Sequence, residues 1–383
     1  MTPPLPPTPP PQRPFKLALL GTRGIPARYG GFETFAEQLA VRLVQKGHHV
    51  TVYAESDQAN QPDTWYLGVR IRHIKRPHWG PATVIGYDWN CLLDAARHNH
   101  DLVYMLGYGA AWACWWVRKQ HRQKIWINVD GLEWARSKWG LLARTYLRAM
   151  EWVSSWAPTR IIADAQAIAH HYQQRYPRGV PCACIAYGAD VPHPDAALQG
   201  HPLPPQLNPQ GYILVVARPE PENHLLEIIQ GYLQSGVSWP LVIVGSVTPT
   251  NTYQRTLLSH ASNQVRFVGG IYNPAALTAL RLQAACHIHA HSVGGTNPSL
   301  LEAMACGNLI LALDNPFNRE VAADAALYFH TPRQLAAHIQ AIHAAPHAWQ
   351  HLQNQARQRI QTHYTWDTIA AAYEQLILTE VAS

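Results

Sequence analysis

Two glycine-broken loops carry the residues in this chain best suited to chemistry. The first reads Gly21-Thr22-Arg23-Gly24-Ile25-Pro26-Ala27-Arg28-Tyr29-Gly30-Gly31-Phe32-Glu33-Thr34. The second reads His291-Ser292-Val293-Gly294-Gly295-Thr296-Asn297-Pro298-Ser299 and leads to Glu302. Each follows an apolar, strand-like run and opens an apolar, helix-like one, the layout in which helix N-terminal N–H groups hold an anion. Gly30-Gly31 has no Cβ atoms to keep a phosphate or sugar away. Arg23 and Arg28 add the planar charge that suits bidentate phosphate or carboxylate contact. The competing reading is a strained turn that needs its glycines; Arg23, Arg28 and Glu33 together favour a binding loop. Gly21-x-x-Gly24 lacks the G-x-G-x-x-G spacing of dinucleotide sites, which argues against a nicotinamide dehydrogenase. Two such loops far apart in sequence point to two α/β domains facing one phosphorylated ligand.

Other candidates lie between and around them. Asn128-Val129-Asp130-Gly131-Leu132-Glu133-Trp134 sits at the carboxyl end of a strand-like run, where α/β sheets place ligands. Asp130 there suits sugar hydroxyls, while Glu133 either joins it or caps the following helix, and both readings stay open. Arg218 follows another strand-like run, in Ala217-Arg218-Pro219-Glu220-Pro221-Glu222-Asn223. It either meets a diphosphate or forms a surface ion pair with Glu220 or Glu222, which would be worth little. Glu302 begins a helix-like run, where a dipole stabilisation of roughly 0.3–1 kcal/mol is the competing explanation. His287, His289 and His291 alternate along a strand and share one face. Three such imidazoles resemble a zinc site, but the strand runs into the second glycine loop. Hydrogen-bonding, site-lining histidines are therefore the favoured reading, and no metal is expected.

Periodicity supplies the elements that must position these residues. Phe15–Leu20 reads as a buried parallel strand. Phe35, Leu39 and Leu43 have helical spacing that Gly47 stops, and His48–Ala54 is the next strand. Leu102–Leu106, Lys124–Val129 and Arg160–Ala163 continue the series. The pattern restarts at Tyr212–Ala217, with strands at Leu241–Val244, Val265–Val268, Ala284–His291 and Leu309–Leu313 and helices at Leu225–Leu233 and Leu300–Cys306. This order predicts doubly wound parallel sheets: one domain over 15–190, a proline-rich linker over 191–209, a second domain over 210–362 and a terminal helix over 363–383. Residues 1–14 form a proline-rich tail without the apolar stretch of a signal peptide, and are expected to be disordered.

Composition is consistent with that division. A chain of 383 residues exceeds the usual size of a single core. Lys and Arg outnumber Asp and Glu by 22 to 14 in residues 1–200, whereas acids lead by 10 to 8 in 201–383, so anionic partners belong to the first half. No nucleic-acid-binding motif accompanies the charge. The six cysteines show no disulfide framework, and Cys182-x-Cys184 alone is a weak metal signal; reduced thiols of a cytoplasmic protein are the favoured reading. No apolar run is long enough for a spanning helix. Trp134–Trp156 is basic (Arg136, Lys138, Arg144, Arg148) and rich in tryptophan. It is either an amphipathic segment lying on an anionic membrane or an ordinary helix with one buried face. Trp112, Trp115 and Trp116 are read as core or acceptor cleft rather than membrane anchor.

The first loop, Gly-Thr-Arg-Gly-Ile-Pro-x-x-Tyr-Gly-Gly-Phe-Glu-Thr, resembles the opening of a bacterial branch of the GT-B, family-4-like glycosyltransferases that includes rhamnosyltransferases of polysaccharide assembly. Asn128–Trp134, Ala217–Asn223 and the second loop match further, so the resemblance runs from about Lys16 to the C-terminal helix. It implies an α/β GT-B fold: two Rossmann-like doubly wound domains facing a cleft, with the donor held mostly by the second and the last helix packing back on the first. It implies a retaining glycosyltransferase moving a hexosyl or deoxyhexosyl group, rhamnosyl included, from a nucleoside diphosphate sugar. The acceptor would be a glycan or a lipid-linked oligosaccharide in extracellular or capsular polysaccharide biosynthesis. The enzyme would be cytoplasmic, with peripheral contact to the inner face of the plasma membrane, and would need no cofactor or metal and no nucleic acid.

Carried over residue by residue, the resemblance assigns donor binding to Gly30, Gly31, Arg218, Asn223, His291, Gly295, Thr296, Asn297, Ser299 and Glu302. Acceptor or sugar contacts fall to Arg23, Arg28, Tyr29, Glu33, Asp130 and Glu133, and catalysis to Asp130, Arg218 and Glu302. Two positions depart from the family pattern. Glu222-Asn223 stands where many members carry a diphosphate-binding lysine. The acid usually found eight residues before Glu302 falls on Gly294, and Ser292 nearby is not acidic either. The second departure leaves room for a non-catalytic subunit that binds a sugar nucleotide or a glycan, and a nucleotide-sugar epimerase of the same fold is a further alternative.

Overall fold

The computed structural model describes residues 13–27, 30–129, 131–136, 139–204 and 206–382. Arg28, Tyr29, Asp130, Lys138 and the tail through residue 12 lie outside the described residues. Among the described residues, fourteen strands form two sheets. The first contains β1 (Lys16–Leu20), β2 (His49–Ser56), β3 (Thr64–Tyr66), β4 (Val69–Lys75), β5 (Leu102–Leu106), β6 (Ile125–Val129), β7 (Arg160–Ala163) and β8 (Cys182–Cys184), in the order β3-β4-β2-β1-β5-β6-β7-β8. The second contains β9 (Ile213–Val216), β10 (Leu241–Val244), β11 (Val265–Phe267), β12 (Cys286–His289), β13 (Ile310–Leu313) and β14 (Ala326–Phe329), in the order β11-β10-β9-β12-β13-β14. Apart from β3, which pairs antiparallel with β4, the strands are parallel.

The central strands are apolar throughout because helices cover both faces of each sheet. Leu17 and Leu19 of β1 pack with Phe35 and Leu39 of the helix Gly31–Gln45. Their alternates, Ala18 and Leu20, pack with Cys91, Leu92 and Ala113 on the other side. Strand order reverses between β1 and β5 in the first sheet and between β9 and β12 in the second. Those are the topological switch points at which open α/β sheets form a crevice. The first glycine loop leaves β1 and the second leaves β12, so each loop starts at a switch point.

Several elements differ from the sequence expectations. The β3–β4 hairpin was not anticipated: Trp65 is exposed, and a three-residue edge strand carries little alternation to read. The edge strands β8 and β14 are likewise short. The stretch read as linker contains a helix, Pro194–Leu198, whose first turn holds Pro194 and Asp195 and which packs on the helix Pro274–Leu282. Trp112, Trp115 and Trp116 are not core; all three rings are exposed on the helix Ala111–His121. The six cysteines are free, and burial raises the Cys182 thiol to about 11 and the Cys184 thiol to about 12.

The last helix, Trp366–Ala382, lies on the first domain against the helix Gly31–Gln45. Arg42 binds Asp367 at 2.7 Å and Asp190 at 2.8 Å, and His48 Nε2 meets Glu374 Oε1 at 3.0 Å. Tyr373 stacks edge-on near Phe35, with ring centroids 5.3 Å apart, and its hydroxyl is 3.1 Å from that of Tyr104. Among the described residues no helix is long and apolar enough to cross a membrane.

Candidate active site at the domain seam

The second glycine loop is held by contacts to the neighbouring β9 loop. Asn223 Nδ2 donates to the Arg218 carbonyl at 2.8 Å, and Asn223 Oδ1 lies 2.7 Å from His291 Nδ1, which therefore carries the ring proton. The Ser292 N–H and hydroxyl both donate to the Glu222 carbonyl, at 3.0 and 3.2 Å, and His224 Nε2 is 2.9 Å from Ser292 Oγ. Asn297 caps the helix Pro298–Ala305 by accepting from the Ser299 N–H at 3.0 Å, with Pro298 at the first helical position. Ser299 Oγ donates to the Val216 carbonyl of β9 at 2.9 Å. The side chains of Asn297 and Ser299 thus build the loop. Pro298 has no N–H, and those of Ser299, Leu300 and Leu301 are taken by Asn297, so the backbone N–H groups this loop can offer an anion are those of Gly295, Thr296 and Asn297, ahead of the helix.

Arg218 is exposed at the end of β9, and among the described residues its guanidinium forms no ion pair. The surface pair with Glu220 or Glu222 is not made; Glu220 instead donates its N–H to the Arg218 carbonyl at 2.8 Å. His287, His289 and His291 lie in a row with centroids 6.4 and 6.3 Å apart, the first pair stacked and the second tilted by 47°. Burial holds His287 well below the usual range, His289 down to about 3 and His291 down to about 4, the last helped by the Arg136 and Arg218 charges. The ladder is neutral at physiological pH. Among the described residues no group of His, Cys, Asp or Glu is arranged to hold a metal ion.

The loop also meets the first domain. Thr296 Oγ1 donates to the carbonyl of Asp164, a residue 1% exposed at the end of β7. A Cβ on Gly295 would sit 1.8 Å from Asp164 Oδ1, so only glycine fits. Gly131, beyond β6, approaches Gly294 so closely that its Cβ would lie 2.8 Å from the Gly294 Cα, and Gly294 itself has φ +137°. The place of the missing acid is therefore one where a side chain would be strained and would crowd the opposing backbone. Gln166 N donates to both Glu320 carboxylate oxygens, at 2.8 and 2.9 Å, and extends the seam. The two glycine loops approach each other at Gly31, where an added Cβ would stand 3.7 Å from Pro298 Cγ.

The first loop is braced mainly from within its own domain. Glu33, buried in the first turn of its helix, accepts from the Arg23 N–H at 3.1 Å, and Glu37 accepts from the Ala27 N–H at 2.5 Å and the Tyr66 hydroxyl at 3.1 Å. Thr22 Oγ1 links the Tyr53 carbonyl, at 3.2 Å, to the Gly24 N–H, at 3.0 Å. Arg23 and Gly30 are exposed. Glu33 therefore shapes the loop with at least one of its oxygens.

Two expectations need correction. Glu302 does not begin its helix; it is the fifth residue of Pro298–Ala305, so the dipole explanation fails. Its Oε2 instead pairs at 2.6 Å with Arg281, whose side chain is only 3% exposed. Glu133 caps no helix. It opens a 3₁₀ turn, Glu133–Ala135, and its carboxylate takes Trp139 Nε1 at 3.0 Å and Arg136 Nε at 2.6 Å. Its N–H donates to the Tyr108 hydroxyl at 2.8 Å. Asp164 and Arg136 were missed as site residues. An acid immediately after a strand-like run was a readable signal for Asp164. Arg136 was hidden inside the tryptophan-rich stretch.

Residues 205–359 match the family of glycosyl transferases group 1, and residues 16–190 match a domain of unknown function, DUF1972. Solved structures share the fold over the whole chain. Sucrose-phosphate synthase from Thermosynechococcus elongatus aligns with a TM-score of 0.78 at 19% identity, over 96% of this chain and 99% of that one. The chain has the GT-B fold, and its second domain matches the group 1 glycosyltransferase family. Anabaena HepE in complex with UDP-glucose aligns with a TM-score of 0.74 at 13% identity, over 95% of this chain and 100% of that one. An α,α-trehalose-phosphate synthase (UDP-forming) from Burkholderia vietnamiensis gives 0.74 at 12% identity, over 95% and 100%. No curated protein matches the chain significantly. The β9 and β12 loops thus lie in the part of the chain that matches the group 1 family, and Asp164 and Gly131, which approach the second loop, lie in the part that matches DUF1972.

Proposed function

We propose that this chain is a retaining glycosyltransferase that moves a hexosyl or deoxyhexosyl group, rhamnosyl included, from a nucleoside diphosphate sugar to a glycan or lipid-linked acceptor in polysaccharide assembly. The observation that carries the reading is the convergence of Arg218, the neutral His291 and the N–H groups of Gly295–Asn297 at the β9/β12 switch point of a group 1 domain. Arg218 and those N–H groups would stabilise charge on the departing diphosphate, the largest demand of the reaction. In this reading no metal or cofactor takes part. Asn223 positions both Arg218 and His291. Asp130 and Glu133 would serve the acceptor or sugar, and the Gly131–Gly294 seam would keep water from the donor. HepE, a protein of the same fold, binds UDP and UDP-glucose, which makes a UDP-sugar the first donor to try. The work would take place in the cytoplasm.

A thermal-shift screen of UDP-, GDP- and dTDP-sugars followed by nucleotide-release assays tests this. A ligand at 100 times its dissociation constant stabilises by about 2.7 kcal/mol. Acceptor-dependent nucleotide release from a stabilising donor is the expected result. Binding without release would move the chain to a sugar-nucleotide-binding subunit, a reading favoured by the acid-free Gly294 and by the engagement of Glu302 with Arg281. A changed sugar nucleotide formed without an acceptor would mean an epimerase.

A further inference from the structure

A face of the first domain that takes no part in the cleft is apolar and cationic at once. The helix Leu141–Ser154 buries Leu147, Met150 and Val153 and turns Leu141, Leu142, Arg148 and Trp152 outward. Leu141 is 82% exposed, Leu142 88% and Trp152 56%. The helix Ala111–His121 runs alongside, fixed by the Tyr146 hydroxyl donating to the Gly109 carbonyl at 2.7 Å and by Arg118 donating to the Ala157 and Pro158 carbonyls at 3.2 and 2.8 Å. It exposes Trp112, Trp115, Trp116 and Lys119. Trp156 joins the two faces, with ring centroids 6.2 Å from Trp115 and 5.5 Å from Trp152.

Charge decides what covers this face. The two helices hold a single acid, Glu151, which is 2% exposed and engaged by Trp134, His171 and Tyr176. The exposed charges are Lys119 and Arg148, so the surface is cationic and apolar with no exposed anion on either helix. A second copy is a poor occupant, because a two-fold contact would set this cationic face against itself. We propose that the face docks on an anionic lipid bilayer. The leucines and tryptophans enter the boundary between headgroups and acyl chains, while Lys119 and Arg148 meet lipid phosphates. Leu141 follows closely on Trp139, whose indole donates to Glu133, and Arg148 stands 4.4 Å over the Trp134 ring. The docked edge therefore adjoins the segment leading out of Gly131, and the acceptor side of the cleft opens at the membrane. That last step rests on the glycosyltransferase reading and names its acceptor class as lipid-anchored; the docking does not depend on it.

The test floats the full chain with vesicles of phosphatidylcholine alone and of phosphatidylcholine mixed with phosphatidylglycerol, without donor or acceptor. Binding is expected only to the anionic vesicles and should weaken with salt. Lys119→Gln and Arg148→Gln should each lower it about fivefold, and Leu141→Ser with Leu142→Ser roughly tenfold or more. A cooperative melt at the parent temperature verifies that each variant is folded. Equal binding to both vesicle types, binding to neither, or leucine variants that bind like the parent would overturn the proposal. So would light scattering that finds a dimer which the leucine variant converts to monomer, since that assigns the face to a second copy. Vesicle binding that persists when no sugar nucleotide binds would overturn the enzymatic reading alone.

Discussion

The two glycine loops begin alike and are used differently. The first is tied down by acids of its own helix, Glu33 and Glu37, and leaves Arg23 and Gly30 exposed. The second is threaded between domains: Asn223, Glu222 and His224 hold it from the β9 side, and Asp164 and Gly131 confront it from the other domain. Similar sequence punctuation therefore yields one self-supporting loop at the rim and one whose geometry depends on domain closure. Ligand chemistry at the second loop is coupled to that closure, whereas the first can adjust locally.

The strongest test of this contrast is Arg218→Ala, expected to lower kcat by about 10²–10³-fold, as for loss of one preorganised donor to a developing charge. Nucleotide release from the preferred donor measures it, and a change of only a few-fold would move the diphosphate contact elsewhere. Gly295→Ala places a methyl group on Asp164 Oδ1 and should cost about 10²-fold in kcat/KM by displacing the loop. Parent-like turnover would mean that the seam opens before reaction.

Glu302→Ala strands the buried Arg281 and should cost about 2–3 kcal/mol in denaturant unfolding, allowing for the partial exposure of the glutamate. Glu302→Gln keeps a hydrogen-bonding group and separates that loss from any weakening of the donor. Acid should loosen the second loop as well. His291 titrates near 6.5 unfolded but only at about 4 folded, so the unfolded chain binds its proton first. Its contribution to stability is complete above that unfolded value, declines as pH falls below it, and is lost through about 4. A melting profile across that window should be shallower in His291→Gln; an unchanged slope would exclude His291 as its source. The smallest effect belongs to the first loop, where Glu33→Gln replaces a charged acceptor of the Arg23 N–H and should cost about 1 kcal/mol. An effect on turnover as large as that of Gly295→Ala would erase the distinction between the loops.

Much of this was legible in the sequence where the signal is local. The strand Lys16–Leu20, the helix carrying Phe35, Leu39 and Leu43, and the β12 histidines on one face all follow from periodicity. So does the placement of both glycine loops after strands. What was not legible depends on partners distant in sequence. Asp164 becomes a seam residue only because Thr296 and Gly295 arrive from the other domain. Glu302 was misread because its partner, Arg281, lies two elements away, and a carboxylate just after a loop reads as a helix-start residue until the true helix start at Pro298 is known. The sequence left open a core place for the tryptophans of Ala111–His121, because an apolar run without alternation does not tell which of its sides a neighbour covers.

The last helix has a consequence for how the molecule is made. Tyr373 and Ile377 are fully buried in the core that Phe35 and Tyr104 begin. A ribosome therefore delivers part of the first domain's interior last, after the whole second domain has been synthesised. Domains that emerge first commonly fold first; this one has to wait with the groove beside Gly31–Gln45 unfilled. A fragment ending at residue 190 would keep that groove open, and only a permuted chain or the helix added in trans would close it.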